Sequence, residues 1–447
     1  MKDAEIIKQQ KTVEYIVKDG LCTGCGTCEA VCPRNAIKMI IDPNKAAYFP
    51  RLDKDKCTEC TICTKYCTGK FVDFKSMNIE IFGKEPDNAM LGNFLNCYSG
   101  YSSNKDIRYN STSGGFITQL LIYALEVNII QGALVTRMSD NRPFEPLSYI
   151  ARTKEEIICA SKSKYCPVPA NIALKEIFSA RKDDKFAVVG LPCHIHGVRK
   201  LMLNNIDFRN KVFLCIGLFC SHNNNFKMAE FVAKWHNVDI KDIIKLDYRG
   251  EGWPGSMSIV LKDGRRKLIP YTKYGIVHSF NLFTPSRCFL CMDGLANLAD
   301  ISCADAWFLG LDSDHIGCSL VISRNEKAEQ VIKGAISKNI LVLDKITNSD
   351  LWKPTSYRPM RVRSALYIRK YFGYPIPDYN DNTLPSNMII KLLSLNYIFS
   401  HIISVIALRP WTWKIFLLLF PFLRPVAKGA KLIGSKIIVK ITNKTRA

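Results

Sequence analysis

The apolar positions of this chain change rhythm along its length, and the changes mark out its parts. From about Gln131 to Lys345, short apolar runs alternate with stretches of helical period. Just before that region, Gly114–Glu126 (GGFITQLLIYALE) puts Phe116, Leu120, Leu121 and Ala124 on one helical face. The pattern then predicts a strand over Ile130–Thr136, a helix over Ala170–Arg181 and a strand over Phe186–Gly190. A helix over Ile195–Leu203, a strand over Lys211–Phe219 (KVFLCIGLF) and a helix over Lys227–His236 follow. Ser256–Ile269 reads as a hairpin turning at Asp263-Gly264. Alternation of this kind predicts an α/β domain with a partly parallel sheet.

The N-terminal part lacks that alternation and carries cysteines instead. The run 22-CTGCGTCEAVCP-33 has the spacing C-x2-C-x2-C-x3-C-P, and 57-CTECTICTKYC-67 repeats it with Thr68 in place of the proline. This is the bacterial two-cluster ferredoxin pattern. Three cysteines of a tight loop hold one [4Fe–4S] cube, and the fourth reaches across to the other. The spacing therefore groups Cys22, Cys25, Cys28 and Cys67 in one cluster, and Cys57, Cys60, Cys63 and Cys32 in the second. Gly24 and Gly26 would let backbone N–H groups turn toward sulfide. Zinc is the competing reading, but its sites favour two C-x2-C pairs over runs of four.

At 447 residues the chain has room for two or three domains, and 47% hydrophobic against 23% charged content gives it ample core. Residues 1–20 are charged throughout, with no apolar signal-peptide core. A cytoplasmic protein is therefore expected, one that uses its 18 cysteines for metal or redox work rather than disulfides. Lys+Arg 62 against Asp+Glu 40 gives a net charge of +22, which suits nucleic acid, anionic lipid or acidic small molecules. No basic-aromatic stripe on a recognisable nucleic-acid module supports the first of these, so no nucleic-acid partner is expected. The excess is partly local: no acidic residue follows Asp381.

If strands Phe186–Gly190 and Lys211–Phe219 are parallel, Cys193 and Cys220 emerge at the same carboxyl edge, where open α/β sheets bind ligands. The C-x2-C of 288-CFLCMD-293 is half a metal site. Cys193 and Cys220 would complete it with Cys288 and Cys291, as a third [4Fe–4S] cluster or a zinc site. Isolated cysteines are usually buried thiols, so spacing alone leaves both readings open. Cys97, Cys159, Cys166, Cys215, Cys303 and Cys318 are read as buried thiols. Two signals in this region fit a flavin nucleotide. The turn 112-TSGG-115 opens a helix whose N–H groups could meet a phosphate, the alternative being an N-cap at Ser113. In 161-SKSKYC-166, Lys164 could neutralise a phosphate and Tyr165 could stack on a ring, the alternative being a solvated basic loop.

In their joint order, several motifs resemble the beta subunit of coenzyme F420-reducing hydrogenases and F420-linked dehydrogenases. They are TSGG at 112–115, SKY at 163–165, GLPCHIHGVRK at 190–200, Cys220, RGEGWPG at 249–255 and RCFLCMDGLANLADISCADAW at 287–307. That family also includes plant hydroxymethyl-chlorophyll reductase and many proteins of bacterial polysaccharide clusters. The resemblance spans Cys22 to Arg324. It implies FAD on an α/β scaffold beside a [4Fe–4S] cluster, whose ligands match Cys193, Cys220, Cys288 and Cys291. The FAD contacts it implies are Ser113, Gly114, Gly115, Lys164 and Tyr165. Two departures stand out. His194, followed by His196, replaces the family's Gln after Pro-Cys, and Cys303-Ala304 replaces an aliphatic or aromatic residue and Gly. The histidines are read as local hydrogen-bonding partners, with proton donation to a flavin-bound substrate as the alternative.

The end of the chain changes character again. In 388-MIIKLLSLNYIFSHIISVIALRPWTWKIFLLLFPFLRP-425, Leu392–Leu408 is interrupted by Asn396 and His401, and Ile415–Leu423 is short and contains Pro421. Neither reads as a spanning helix of about 20 residues. Trp411, Trp413, Arg409 and Lys414 resemble an interfacial belt, and Lys428 to Arg446 suits an anionic lipid surface. A peripheral membrane anchor is favoured over a helical subdomain packed on the core or on a partner.

The expected fold is thus α+β and α/β. It comprises an N-terminal dicluster ferredoxin domain (1–80), a central α/β FAD-binding domain with a mixed sheet (90–385) and a helical basic tail (386–447). The expected function is a flavo-iron–sulfur oxidoreductase that passes electrons from the ferredoxin-type clusters through a third cluster to FAD and an organic substrate. That substrate would come from polysaccharide biosynthesis. The alternative is a subunit of a larger dehydrogenase or hydrogenase complex that reduces or oxidises coenzyme F420. A redox partner protein or reduced ferredoxin is expected in either case.

Overall fold

The computed structural model describes residues 12–86, 91–307, 314–347, 357–380 and 388–420. Strands β1 (Ile37–Asp42) and β2 (Ala47–Leu52) form an antiparallel hairpin between the two cysteine runs. Next in the chain come β3 (Asn96–Ser102), β4 (Gly132–Met138), β5 (Pro146–Ala151), β6 (Phe186–Gly190) and β7 (Val212–Leu218). β8 (Ile243–Asp247), β9 (Ser256–Leu261) and β10 (Arg266–Pro270) follow, then β11 (Ile301–Asp305), β12 (Ser319–Ser323) and β13 (Leu341–Ile346). Eight of these strands make one mixed sheet in the order β13-β3-β12-β11-β7-β6-β4-β5, while β10-β9-β8 form a separate antiparallel sheet. The central strands β4, β6, β7 and β11 run parallel, and antiparallel strands flank them on both sides.

The parallel centre explains the apolar runs. β6 (FAVVG) and β7 (VFLCIGL) are covered on both faces, so they read as continuous apolar stretches. Helix α1 (Phe116–Glu126) is buried at Thr118, Gln119, Ile122 and Tyr123 as well as along the predicted face. Strands β3 and β13 and helices Lys154–Cys159 and Glu326–Ser337 all pack on it. Helix α2 (Pro192–Asn204) starts ahead of the predicted Ile195, because a first-turn N–H has no helical partner and Pro192 costs nothing there. Cys193 therefore lies in the first turn of a helix rather than in a loop. The predicted helix Ala170–Arg181 divides into a 3-10 turn, Ala170–Ala173, and a helix, Leu174–Ser179. β9 and β10 are the predicted hairpin, turning through Gly264 at φ 80°.

Cys97, Cys166, Cys215, Cys303 and Cys318 are buried, whereas Cys159 is exposed. The buried-thiol reading fails for Cys159 because it closes helix Lys154–Cys159, which turns only Ile157 inward.

The cysteine-rich unit is set tightly against the start of α2. The Asn171 N–H donates to Cys25 O (3.0 Å), and its Nδ2 donates to Thr27 Oγ1 (2.8 Å) and His194 O (2.9 Å). Two glycines permit the approach. A Cβ on Gly26 would fall 2.8 Å from Pro169 O, and one on Gly197 would fall 2.4 Å from Thr27 Oγ1. Buried Arg287 donates to Leu21 O (3.0 Å) and Gly69 O (3.0 Å). Lys200 Nζ donates to Cys67 O (2.7 Å) and Phe71 O (2.6 Å).

Two carboxyl-terminal helices, α3 (Tyr357–Tyr371) and α4 (Met388–Ala407), pack on each other and on the turn at Ser286–Leu290. Beyond α4, Trp413 and Phe420 are buried against Phe231, with ring centroids 5.5 and 5.9 Å away. Trp413, expected in an interfacial belt, is therefore a core residue, while Trp411 is exposed. The stretch Pro421–Leu423 and the basic end Lys428–Arg446 lie outside the described residues.

Replacing Gly197 by Ala should force Thr27 and the Cys25 loop away from α2. The expected cost is about 1–3 kcal/mol, read as a lower denaturant midpoint.

Candidate metal centres and ligand cavity

Four thiols of the first run and its crossing partner line one small cavity: Cys22, Cys25, Cys28 and Cys67, with Val13, Ile16 and Met39 as apolar neighbours. Burial pushes the Cys22 and Cys28 thiols up, and the other thiols of the set add to the rise. Four thiolates cannot share such a pocket unless a cationic core offsets their charge. Backbone donors already turn toward sulfur: Gly24 N–H to Cys22 Sγ (3.4 Å) and Gly69 N–H to Cys67 Sγ (3.3 Å). Gly24 and Gly26 reach this shape at φ 70° and 86°. The second set forms likewise. Burial pushes the Cys63 thiol up to about 11, and Cys60, Cys32 and Cys57 act on it from nearby. Among the described residues, no group of three or more His, Cys, Asp or Glu side chains closes around a single ion. Thiols that surround a common space at wider spacing suit a multi-iron core, in which each sulfur takes one corner.

The third set comes from three separate elements. Cys193 opens α2, Cys220 follows β7, and Cys288 and Cys291 lie in and just after the turn Ser286–Leu290. Burial pushes the Cys193 thiol well up, and the charges acting on it are those of Cys25, Cys291, Cys220 and Cys288. The structure therefore brings all four candidate ligands together and sets Cys25 of the first set beside them. Thr68 stands between, its Oγ1 3.9 Å from Cys25 Sγ and donating to Cys193 O (3.4 Å).

Two residues that the sequence reading did not single out hold this set. From α3, Arg358 donates Nε to Cys291 O (3.1 Å) and Nη1 to Cys220 O (2.7 Å) and Ser221 O (2.9 Å). Asp293 accepts from the N–H groups of Leu295 and Asn297, both at 2.9 Å, and from His196 Nε2 at 2.8 Å. His196 thus braces the Cys291 loop. His194 Nδ1 accepts from the Leu191 N–H (3.1 Å), so Nε2 carries the proton and gives it to Val168 O (2.9 Å). Burial pushes His194 down to about 4. Its one proton is held by a carbonyl, so a proton-donor role does not fit it.

Cys220 also borders a cavity of about 1170 Å³ at the carboxyl edge of the sheet. Ser113, Gly115, Lys164 and Tyr165 line it; Gly114 does not. Gly114 is instead a packing position, where a Cβ would fall 2.4 Å from Gly100 O. Gly115, not Ser113, caps α1, at φ 74° and with no side chain on the first N–H groups. Ser113 pairs with Ser319, their oxygens 2.9 Å apart. The N-terminus of α1 is thus open to an anion.

Lys164 behaves differently from expectation. Its Nζ donates to the carbonyls of Ala160 (2.6 Å), Ser161 (2.7 Å) and Lys162 (2.9 Å). Burial pushes it down to about 7, while three carbonyl acceptors use all three ammonium hydrogens and favour the charged form. Another group must therefore meet a phosphate's charge. Tyr165 stands in an aromatic wall with Tyr271 and His278, its ring 4.7 Å from that of His278. Arg249 supports the wall, donating to the Tyr165 oxygen (2.9 Å) and pairing with Asp305. An open helix N-terminus, an aromatic wall and this volume fit a flavin nucleotide. The RGEGWPG motif was the only sequence signal for Arg249, and it carried no role.

The fold and the thiol sets define the class: an iron–sulfur electron-transfer subunit on a mixed α/β scaffold. Residues 21–74 match the model of the 4Fe-4S dicluster domain. Residues 97–175 and 183–349 match the N- and C-terminal models of the coenzyme F420 hydrogenase/dehydrogenase beta subunit. The chain belongs to that beta subunit family. It is 30% identical to the coenzyme F420 hydrogenase subunit beta of Methanosarcina barkeri, over 48% of this chain and 72% of that protein. It is 28% identical to the coenzyme F420-dependent sulfite reductase of Methanocaldococcus jannaschii over 72% of this chain, and spans 47% of that longer protein. In the solved F420-reducing [NiFe] hydrogenase complex from Methanosarcina barkeri, a chain 25% identical superposes with a TM-score of 0.51. The match covers 67% of this chain and 99% of that one.

Cys193→Ser should remove about one third of the iron, one cube of three, and leave the ferredoxin-type signals in place. Iron analysis with electron paramagnetic resonance checks this. A second expectation concerns His278. Asn224 Nδ2 donates to His278 Nδ1 (3.0 Å), and burial pushes this histidine from 6.5 down to about 4. Between those values the unfolded chain binds a proton that the folded one does not, so stability falls as pH drops through this window. His278→Gln should flatten that fall by roughly 1–3 kcal/mol in unfolding titrations.

Proposed function

We propose that this chain exchanges electrons with a deazaflavin coenzyme of the F420 type, through FAD held in the cavity at the carboxyl edge of the sheet. One observation carries the reading: Cys25 of the first thiol set acts on Cys193 of the third, and Cys220 of the third borders the cavity. Iron–sulfur cubes supply one-electron steps and a flavin supplies two-electron hydride chemistry, so the order cubes, flavin, organic substrate matches single electrons to a pair.

The chain's own residues perform the positioning. The first turn of α1 would take a flavin phosphate, and the wall of Tyr165 and Tyr271 would hold a ring. Arg358 and the His196–Asp293 pair fix the loops that bear Cys220 and Cys291. Arg249, Arg358, Arg361 and Arg363 line the cavity against Glu85, Asp293 and Asp305, an excess of cations that favours a phosphate- and carboxylate-bearing coenzyme. The named relatives also act with F420, and this favours the deazaflavin over the polysaccharide-related metabolite first expected. As in the multi-subunit complex it resembles, the chain would work with a redox partner.

Anaerobic purification should yield about twelve irons, from three four-iron cubes, and one FAD per chain. Coenzyme F420 should then oxidise the reduced protein, followed at the deazaflavin absorbance. Iron near eight without flavin would sink the relay as drawn. Full cofactor content with no F420 turnover would sink the substrate.

A further inference from the structure

We propose that the helical pair Ser394–Ala407 and Pro410–Phe420 is a docking surface for an anionic lipid bilayer. The reason is a reversed polarity. On α4 the side facing the protein carries Ser394, Tyr397, Ser400 and Ser404, all buried. Ser394 Oγ donates to Ser364 O on α3 (3.2 Å), and Tyr397 meets Phe289 edge-on (5.7 Å). The outward side carries Leu395, Phe399, Ile402 and Ile406, a stripe at helical spacing, with Leu395 63% and Phe399 62% exposed. A helix that faces water puts its polar residues outward. This one turns serines inward and shows its apolar stripe to solvent.

Past a bend of 106°, Trp411, Ile415 and Leu418 are exposed as well, Trp411 at 74% and Leu418 at 73%. The bend is built into the fold. Thr412 Oγ1 donates to Ile406 O (3.1 Å) and Arg409 O (2.8 Å), and Trp413 Nε1 donates to Ala407 O (2.8 Å). The buried Trp413 ring then fixes the second segment on Phe231. Two helices held at a fixed angle therefore both turn apolar side chains to solvent. Large apolar side chains exposed in such number mark an interaction surface.

Charge identifies the occupant. No Asp or Glu follows Asp381, yet ten Lys and Arg residues do. Exposed Arg409 and Lys414 flank the exposed Trp411 at the bend. An apolar surface with an interfacial tryptophan and cations of a single sign matches acyl chains under anionic headgroups. Among the described residues no single helix is long and apolar enough to cross a membrane, and the 106° bend suits a pair lying in the interface. α4 rests on the turn that carries Cys288, but the exposed stripe faces away from that contact, so the surface does not depend on what the cavity binds.

The test is flotation of the full-length protein, purified anaerobically, with vesicles of phosphatidylcholine alone or mixed with phosphatidylglycerol. The protein should float with the mixed vesicles and stay behind with phosphatidylcholine. Phe399→Ser/Leu418→Ser should weaken binding by at least about tenfold with iron content unchanged. Should that variant lose iron, the unaltered protein still decides: brominated acyl chains should quench its tryptophan emission, and Trp411→Phe should remove most of the quenching. No flotation with anionic vesicles would overturn the proposal. So would equal binding by the double variant, which would reduce the contact to charge alone. A dimer that the double variant disperses, with no vesicle binding, would assign the surface to a second copy of the chain instead.

Discussion

The backbone of the Cys25 loop and the first turns of α2 approach so closely that neither Gly26 nor Gly197 has room for a side chain. Asn171 closes the contact, tying Cys25 O, Thr27 and His194 O into one buried junction. This contact places a thiol of the N-terminal unit beside one of the α/β sheet. Without it the cysteine-rich unit and the sheet would be two folds on one chain, with no short path between their thiol sets.

The same junction concentrates negative charge, and the fold answers with cations that grip backbone rather than sulfur. Lys200, Arg287 and Arg358 each donate to carbonyls of ligand-bearing loops: Cys67 O, Gly69 O, Cys220 O and Cys291 O. Burial disfavours each thiolate on its own, so nearby guanidinium and ammonium groups lower the cost of collecting four of them. Hydrogen bonding to carbonyls lets these cations also fix loop geometry. Arg358 comes from a helix beyond the family-matched residues, so this chain draws its own carboxyl-terminal part into the support of the third set.

Several elements were legible from the chain because their signals are local. Cysteine spacing grouped the first eight thiols, and continuous apolar runs marked β6 and β7 because parallel central strands are covered on both faces. The TSGG turn was correctly placed at a helix start, but its internal roles were not. Gly115 is the cap, Gly114 a close-packing point and Ser113 a partner of Ser319, distinctions that depend on β3 and β12. Lys164 was legible as a cation but not as one whose hydrogens are all taken by three carbonyls behind it.

By itself, then, the sequence determined the ferredoxin-type pattern, the alternation of the α/β region and the one-sign charge of the tail, because spacing and composition are properties of neighbouring residues. Tertiary structure decided that Cys193, Cys220, Cys288 and Cys291 meet, and that Cys25 stands next to them. It also decided that Trp413 is core while Trp411 faces outward. Periodicity tells which residues share a face of a helix. Only the packing of distant segments decides whether that face meets protein or is left for something else.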